Sequence, residues 1–412
     1  MIAISASKII CDFADPASDI VNGTVLVDGD QIISLEGPNW QGETAQSINL
    51  PGRTVAPGLM DSHVHLAFDG TADPVGNMHQ RDREQTAIQA ERAARDLLLG
   101  GVTFVRDLGA PDRVALNLRD QIASKAITGP TVFSAGRPLT RPQGHCWFMG
   151  SEVHDAASAQ SAVNTEVERG ADLIKVMVTG GRMTPGTDPL GVELNEIALR
   201  FAVKEAHDLG RPVAAHALSA AGVLAAATAG VDTIEHGTLI CSDPYAVQHT
   251  DADRRLRKRA IAAVIDYGTA ISPTFSVPDA GTHPVTPQIR ADWISTFHEA
   301  GVPVIAGTDS GINGHPHRGA AISGIRGLVA AGMTNSDALA AASGKGMVAA
   351  GRSAAGYLRP GFKAELIVLN DDPRRNLETV SAPAGVMVGG VYYQVVRHDN
   401  DNHHDQLVRI TQ

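Results

Sequence analysis

Between residues 58 and about 350, short apolar stretches alternate eight times with longer amphipathic ones. The apolar stretches are GLMDSHVHL, TFVRDLG, TVFSAG, LIKVMVTGG, PVAAHA, TIEHG, TAISPTF and VPVIAGTDS. Short, mostly apolar runs of this kind read as strands buried on both faces. Between them lie segments such as REQTAIQAERAARDLLLGG, DAASAQSAVNTEVERGA, ELNEIALRFAVKEAHDLG and SAAGVLAAATAG. Several of these close on glycine, a frequent helix stop. Eight strand–helix units over about 290 residues predict an α/β chain built as a (β/α)8 TIM barrel. The rival, a doubly wound open sheet, normally carries a glycine-rich phosphate fingerprint after its first strand, and this sequence has none.

The flanks change pattern. Residues 1–57 read as strands and turns, in MIAISASKII, TVLVDGDQIISLEG and SINLPGRTVAPG, with Asp-Gly marking a hairpin. After residue 355 strands return in KAELIVLNDD and PAGVMVGGVYYQVV. Residues 1–57 plus 355–412 are therefore expected to join as one small discontinuous β-sandwich domain built from both termini, beside a barrel over 58–354. The tail HDNDNHHDQLVRITQ is polar and reads as a solvated terminus, its histidines being at most a weak metal cluster.

Bulk properties exclude several functions. Net charge is −11, from 34 Lys and Arg against 45 Asp and Glu, and no basic run occurs. Nucleic acid and anionic membrane are thus not expected partners, which leaves a small-molecule substrate. Three cysteines, Cys11, Cys146 and Cys241, make no disulfide framework and suit a reducing compartment. The N-terminal stretch lacks the basic start and apolar core of a signal peptide, and no run reaches about 18 apolar residues. A cytoplasmic protein is the expectation.

Barrel enzymes carry their chemistry at the C-terminal ends of the strands. Strand one ends with His63 and His65, two residues apart and so on one face. Strand four carries Lys175, strand five His216, strand six His236, and strand eight ends at Asp309. A lone histidine on an apolar strand is ordinarily a hydrogen-bonded core residue, and a strand-end aspartate ordinarily caps the next helix. A lysine inside a barrel strand is harder to dismiss, because a buried ammonium needs a partner or must lose its charge. Six such residues at the proper ends of five strands point to a metal site.

The segments PGLMDSHVHL, IKVMVTGG, VAAHA, TIEHG and AGTDSG resemble the amidohydrolase superfamily, in its imidazolonepropionase-like and prolidase-like branch. GRTVAPGLMDSHVHL and GYLRPGFKAELIVLNDDP resemble that superfamily's junctions between barrel and β domain, so the resemblance covers nearly the whole chain. It implies a binuclear centre with zinc the expected metal. His63, His65 and Asp309 would hold one divalent ion, His216 and His236 the other. Lys175 would bridge them as a carbamate made with carbon dioxide. The resemblance further implies that a metal-bound hydroxide attacks a substrate carbonyl, with Asp309 passing its proton to the departing nitrogen.

Substrate contacts are expected from the strand-end loops. His145, in GRPLTRPQGHCWFMG, resembles a glycine-histidine segment of this branch and is a candidate hydrogen-bond donor to the carbonyl oxygen. Trp147 and Phe148 are candidate pocket walls in a chain with only 4% aromatics. Arg137, Arg141 and Arg182 are candidate carboxylate clamps, and His317 matches a histidine common after strand eight. Relatives that cleave N-acyl amino acids often carry a tyrosine shortly after the strand-six histidine, where this chain has Leu239. Leucine donates no hydrogen bond, which favours an apolar or differently anchored substrate.

The resulting expectation is a metal-dependent amidohydrolase cutting a C–N bond of an N-acyl amino acid, dipeptide, cyclic amide, or carbamate- or urea-like compound. The alternative is an aminohydrolase that deaminates a heterocycle. The superfamily's mononuclear deaminases lack the strand-four lysine, so Lys175 argues against it. A non-catalytic assembly role is disfavoured because all six ligand positions are filled. Barrels of this kind often associate, which leaves a homo-oligomer open, but the sequence does not fix the oligomeric state.

Overall fold

The computed structural model describes residues 1–38, 40–241, 250–275, 287–312, 314–397 and 405–410. Its early strands are β1 (Ile2–Ile9), β2 (Ile20–Asp28), β3 (Gln31–Glu36) and β4 (Gln46–Pro57). The barrel region follows with β5 (Leu59–Val64), β6 (Val102–Asp107), β7 (Thr131–Ser134), β8 (Leu139–Thr140), β9 (Ser151–Glu152), β10 (Ile174–Met177), β11 (Val213–Ser219), β12 (Thr233–Ile240) and β13 (Ala270–Ser272). The last strands are β14 (Leu366–Leu369), β15 (Gly385–Val388), β16 (Val391–Val396) and β17 (Gln406–Arg409).

The barrel strands pair in parallel: β5 with β6, β6 with β7, β8 with β10, and β10, β11, β12 and β13 in turn. Asp172 N donates to Ser134 O and joins the third strand to the fourth. The ring closes through residues 303–310, an irregular eighth strand. Val304 bridges Ile271 and Ser310 bridges Val64, while Asp309 N donates to His63 O. Gly307 is required at this closure, because a Cβ there would stand 2.4 Å from Ser272 Oγ and 3.1 Å from His63 Cβ. The sequence pattern predicts a regular eighth strand and carries no signal for the short β8–β9 ladder in the loop after strand three.

Helices between the strands begin where the sequence supplies caps. Asp82, Asp155 and Thr250 form capping boxes at Arg83–Leu99, Ala156–Glu168 and Asp251–Tyr267. Gly230 and Gly268, both left-handed, end Ala220–Ala229 and Asp251–Tyr267. Among the described residues no helix is long and apolar enough to cross a membrane.

The terminal strands form one eight-stranded sheet, in the order β17-β16-β15-β14-β4-β1-β2-β3. The strand alternation sorts its two faces. Leu366 and Val368 of β14 face a small core with Ile4, Val25 and Ile48. Ile367 and Leu369, one residue out of phase, join the large core that runs through the barrel. The chain is thus a TIM barrel carrying a β-sandwich domain made from both ends of the sequence.

Candidate metal centre

The strand ends bring the expected ligands together. Metal-ligating atoms of His63, His236 and Asp309 all lie within 4.8 Å of one another. His63 Nε2 is 3.2 Å from Asp309 Oδ1. His65 Nε2 is 3.3 Å from each of them. His216 joins through Nδ1, 2.8 Å from His236 Nε2. The tail histidines His398, His403 and His404 lie outside the described residues.

Every one of these imidazoles has its outward nitrogen engaged. His63 Nδ1 lies 3.0 Å from Glu235 Oε2, His65 Nδ1 3.0 Å from Gly109 O, His216 Nε2 3.0 Å from Gly180 O and His236 Nδ1 2.8 Å from Thr274 Oγ1. Such outer partners fix ring orientation and tautomer, leaving the inward nitrogen as a lone-pair donor. Burial, reinforced by neighbouring histidines, holds the His216 imidazole well below its ordinary pKa. Burial does the same for His236, so both rings are neutral ligands in waiting.

Backbone strain aims the side chains. His236, Thr274 and Asp309 hold left-handed backbone at φ 72°, 52° and 61°. For a β-branched threonine this region is a genuine outlier, at a cost of roughly 1–3 kcal/mol. At His236 the kink breaks the two-residue alternation, so neighbouring Glu235 and His236 both reach the centre.

Lys175 is 1% exposed, and its Nζ has no hydrogen-bond partner among the described residues. Burial pulls its ammonium down to about 8, against the opposing pull of Glu235 and Asp309. Burial alone would raise the Asp309 carboxyl, but the charge and hydrogen bonds of His63 and the contact from His65 hold it well below the usual range. An orphaned amine, an anionic carboxylate and four oriented imidazoles form a donor set that fits divalent metal.

His145 stands beside this group, its ring centroid 4.6 Å from that of His216. Burial, with the Lys175 charge nearby, lowers its pKa to about 4, so the ring is neutral, and Nδ1 has no partner among the described residues. Gly181 permits the approach, because a Cβ there would fall 2.3 Å from the His145 ring. Phe68, Met78, Cys146, Met149 and Met177 form an apolar cluster along this side, with Phe148 packed against it.

The other candidate substrate residues are placed as follows. Arg137 Nε donates to Glu166 Oε1 at 2.8 Å. Arg141 is held by Glu193 at 2.9 Å. Arg182 is exposed. His317 has both ring nitrogens engaged, with Ser310 Oγ at 3.0 Å and Phe68 O at 3.1 Å, and staples two loops together. Leu239, which stands where relatives that cleave N-acyl amino acids often have a tyrosine, is 1% exposed and packs in the large hydrophobic core. Trp147 is 48% exposed, and Phe148 meets His79 edge-on at 5.4 Å.

Two charged residues of the site escaped the sequence reading. Arg106 of β6 and Glu235 of β12 are 1% and 0% exposed and pair at 2.9 Å. Their signal was the one that exposed Lys175, a charge inside an apolar strand. TFVRDLG and TIEHG both display it.

Comparison with known proteins agrees with this geometry. The chain is 26% identical over 407 residues to ochratoxinase of Aspergillus niger, covering 89% of this chain and 81% of that protein. It is 27% identical over 355 residues to an uncharacterized protein of Mycobacterium tuberculosis, covering 82% and 85%. The crystal structure of a Xaa-Pro dipeptidase with bound methionine in the active site superposes with a TM-score of 0.82 at 26% identity, over 95% of this chain and 99% of that one. The profile of the amidohydrolase family matches residues 54–253 and 287–393. With its barrel, its converging strand-end histidines and that match over most of its length, the chain belongs to the amidohydrolase family and is an enzyme.

Proposed function

We propose that the protein is a binuclear metal-dependent hydrolase that cleaves an amide-type C–N bond of a small molecule. The observation that carries this reading is Lys175, a buried amine that has no hydrogen-bond partner among the described residues and lies amid four histidines and Asp309. An ammonium there repels metal, whereas its neutral form can add carbon dioxide. The amine lone pair would form the new N–C bond while one C=O pair of carbon dioxide moves onto oxygen and one N–H proton passes to water, giving a carbamate anion that could ligate divalent metal.

His63, His65 and Asp309 would hold one ion and His216 and His236 the other, with zinc suited to this donor set. Bound there, the ions supply Lewis acidity and a water that ionises near neutral pH. The chain's own residues do the rest. Asp309, whose Oδ1 lies 3.2 Å from His63 Nε2 and 3.3 Å from His65 Nε2, accepts a proton and returns it to the departing nitrogen. His145, neutral at pH 7, orients the substrate carbonyl by a hydrogen bond. The apolar cluster around Phe68 and Met149 receives an apolar portion of the substrate and excludes water.

Likeness to a Xaa-Pro dipeptidase and to ochratoxinase supports N-acyl amino acids and dipeptides as first candidates, with cyclic amides and carbamates or ureas next. The test is a hydrolysis screen of these four classes with zinc-loaded protein, paired with elemental analysis. Release of amine from at least one class, with two ions per chain, is expected. A protein that holds no divalent metal, or metal-loaded protein silent on all four classes, refutes the reading.

A further inference from the structure

Arg106 and Glu235 meet beneath the candidate metal centre, and neither is among its six expected ligands. Both oxygens of Glu235 are occupied. Oε1 accepts from Arg106 Nη2 at 2.9 Å and from the Thr233 hydroxyl at 2.8 Å, while Oε2 faces His63 Nδ1 at 3.0 Å. The carboxylate therefore has no rotational freedom. Arg106 is fixed as well, since its Nε donates to Ser62 O at 2.7 Å, on the residue preceding His63. One guanidinium thus grips the backbone before a ligand and the carboxylate behind that ligand's ring.

We propose that the Arg106–Glu235 pair positions the metal centre, locking His63 with its proton on Nδ1 and its Nε2 lone pair turned inward. The proposal rests on the metal-hydrolase reading above. Three facts converge on it. An imidazole Nδ1 beside a carboxylate carries the proton, because two acceptors repel. A buried ion pair gains little stability over apolar residues of similar volume, so a role beyond packing accounts for its presence. Finally, the left-handed φ of 72° at His236 lets β12 deliver both a ligand and the orienter of another ligand from adjacent positions.

The test uses zinc and the full chain. Glu235→Gln weakens the acceptor. The double variant Arg106→Met/Glu235→Leu removes both charges together and leaves no unpaired ion buried. Each is titrated with zinc against a chelator, and circular dichroism of the metal-free protein reports folding. We expect native dichroism and a 10–100-fold loss of zinc affinity in both variants, the usual effect of removing an outer-sphere partner. In zinc-loaded wild type labelled with 15N-histidine, the His63 Nδ1–H proton should resonate far downfield and move upfield in Glu235→Gln. A folded variant with wild-type zinc affinity overturns the proposal. If the variants do not fold, the wild-type spectrum decides, and absence of a hydrogen-bonded His63 Nδ1–H overturns it. Wild type that binds no zinc refutes this proposal and the metal-hydrolase reading together, whereas unchanged affinity in the variants refutes this proposal alone.

Discussion

The Thr274 hydroxyl lies 2.8 Å from His236 Nδ1, and both residues hold left-handed backbone. A strained threonine two residues past β13 thus orients a strained histidine within β12. Thr274→Val keeps the shape and removes the hydroxyl, freeing the tautomer of His236. Zinc affinity should fall roughly tenfold or more, while Thr274→Ser stays near wild type. Chelator competition on both variants checks this.

Lys175→Ala should leave the barrel folded, since it deletes a buried amine with no hydrogen bond to lose. It should also abolish binding of the second ion and most turnover. Elemental analysis that still gives two ions per chain would count against a bridging role.

Gly181→Ala places a Cβ 2.3 Å from the His145 ring. The ring must shift, and overpacking of this kind costs about 1–3 kcal/mol. The expected outcome is a kcat/KM lower by about tenfold or more with zinc content unchanged. Steady-state kinetics beside metal analysis would show it, and an undiminished kcat/KM would remove His145 from the substrate's path.

Glu365 offers a pH test away from the metal. Burial raises its carboxyl from 4.5 to about 7, despite the Thr131 hydroxyl, which donates to Oε1 at 2.6 Å. The fold therefore holds a proton that the unfolded chain releases above pH 4.5. Glu365 thus costs nothing below that pH, and stability falls as pH rises from there through 7, by on the order of 3 kcal/mol in full. Glu365→Gln should flatten this stretch of the metal-free protein's stability curve. Chemical denaturation at pH 5 and pH 8 measures the difference between the two proteins.

The eight strand positions were legible because each barrel strand is a short apolar run between turn signals, and the six ligand candidates because polar groups break those runs. The roles of Arg137, Arg141 and His317 were not legible. Their partners Glu166, Glu193 and Phe68 O come from other elements, and nothing local in the sequence announces such a pairing. Arg106 and Glu235 were visible as charges but not as a pair, since β6 and β12 meet only across the barrel interior. The irregular closure at residues 303–310 escaped for a similar reason. It depends on Gly307 slipping between Ser62 and Ser272, which belong to the first and seventh barrel strands.

The sheet order places β4 between β1 and β14. β4 ends at Pro57 and β14 begins at Leu366, so about 310 residues are made before that neighbour exists. At translation rates of about 5–20 residues per second, roughly 15–60 s pass with one edge of β4 bare. An unpaired edge invites pairing with other chains. For this edge the hazard of aggregation is concentrated during synthesis, and it ends only when β14 leaves the ribosome and pairs with β4.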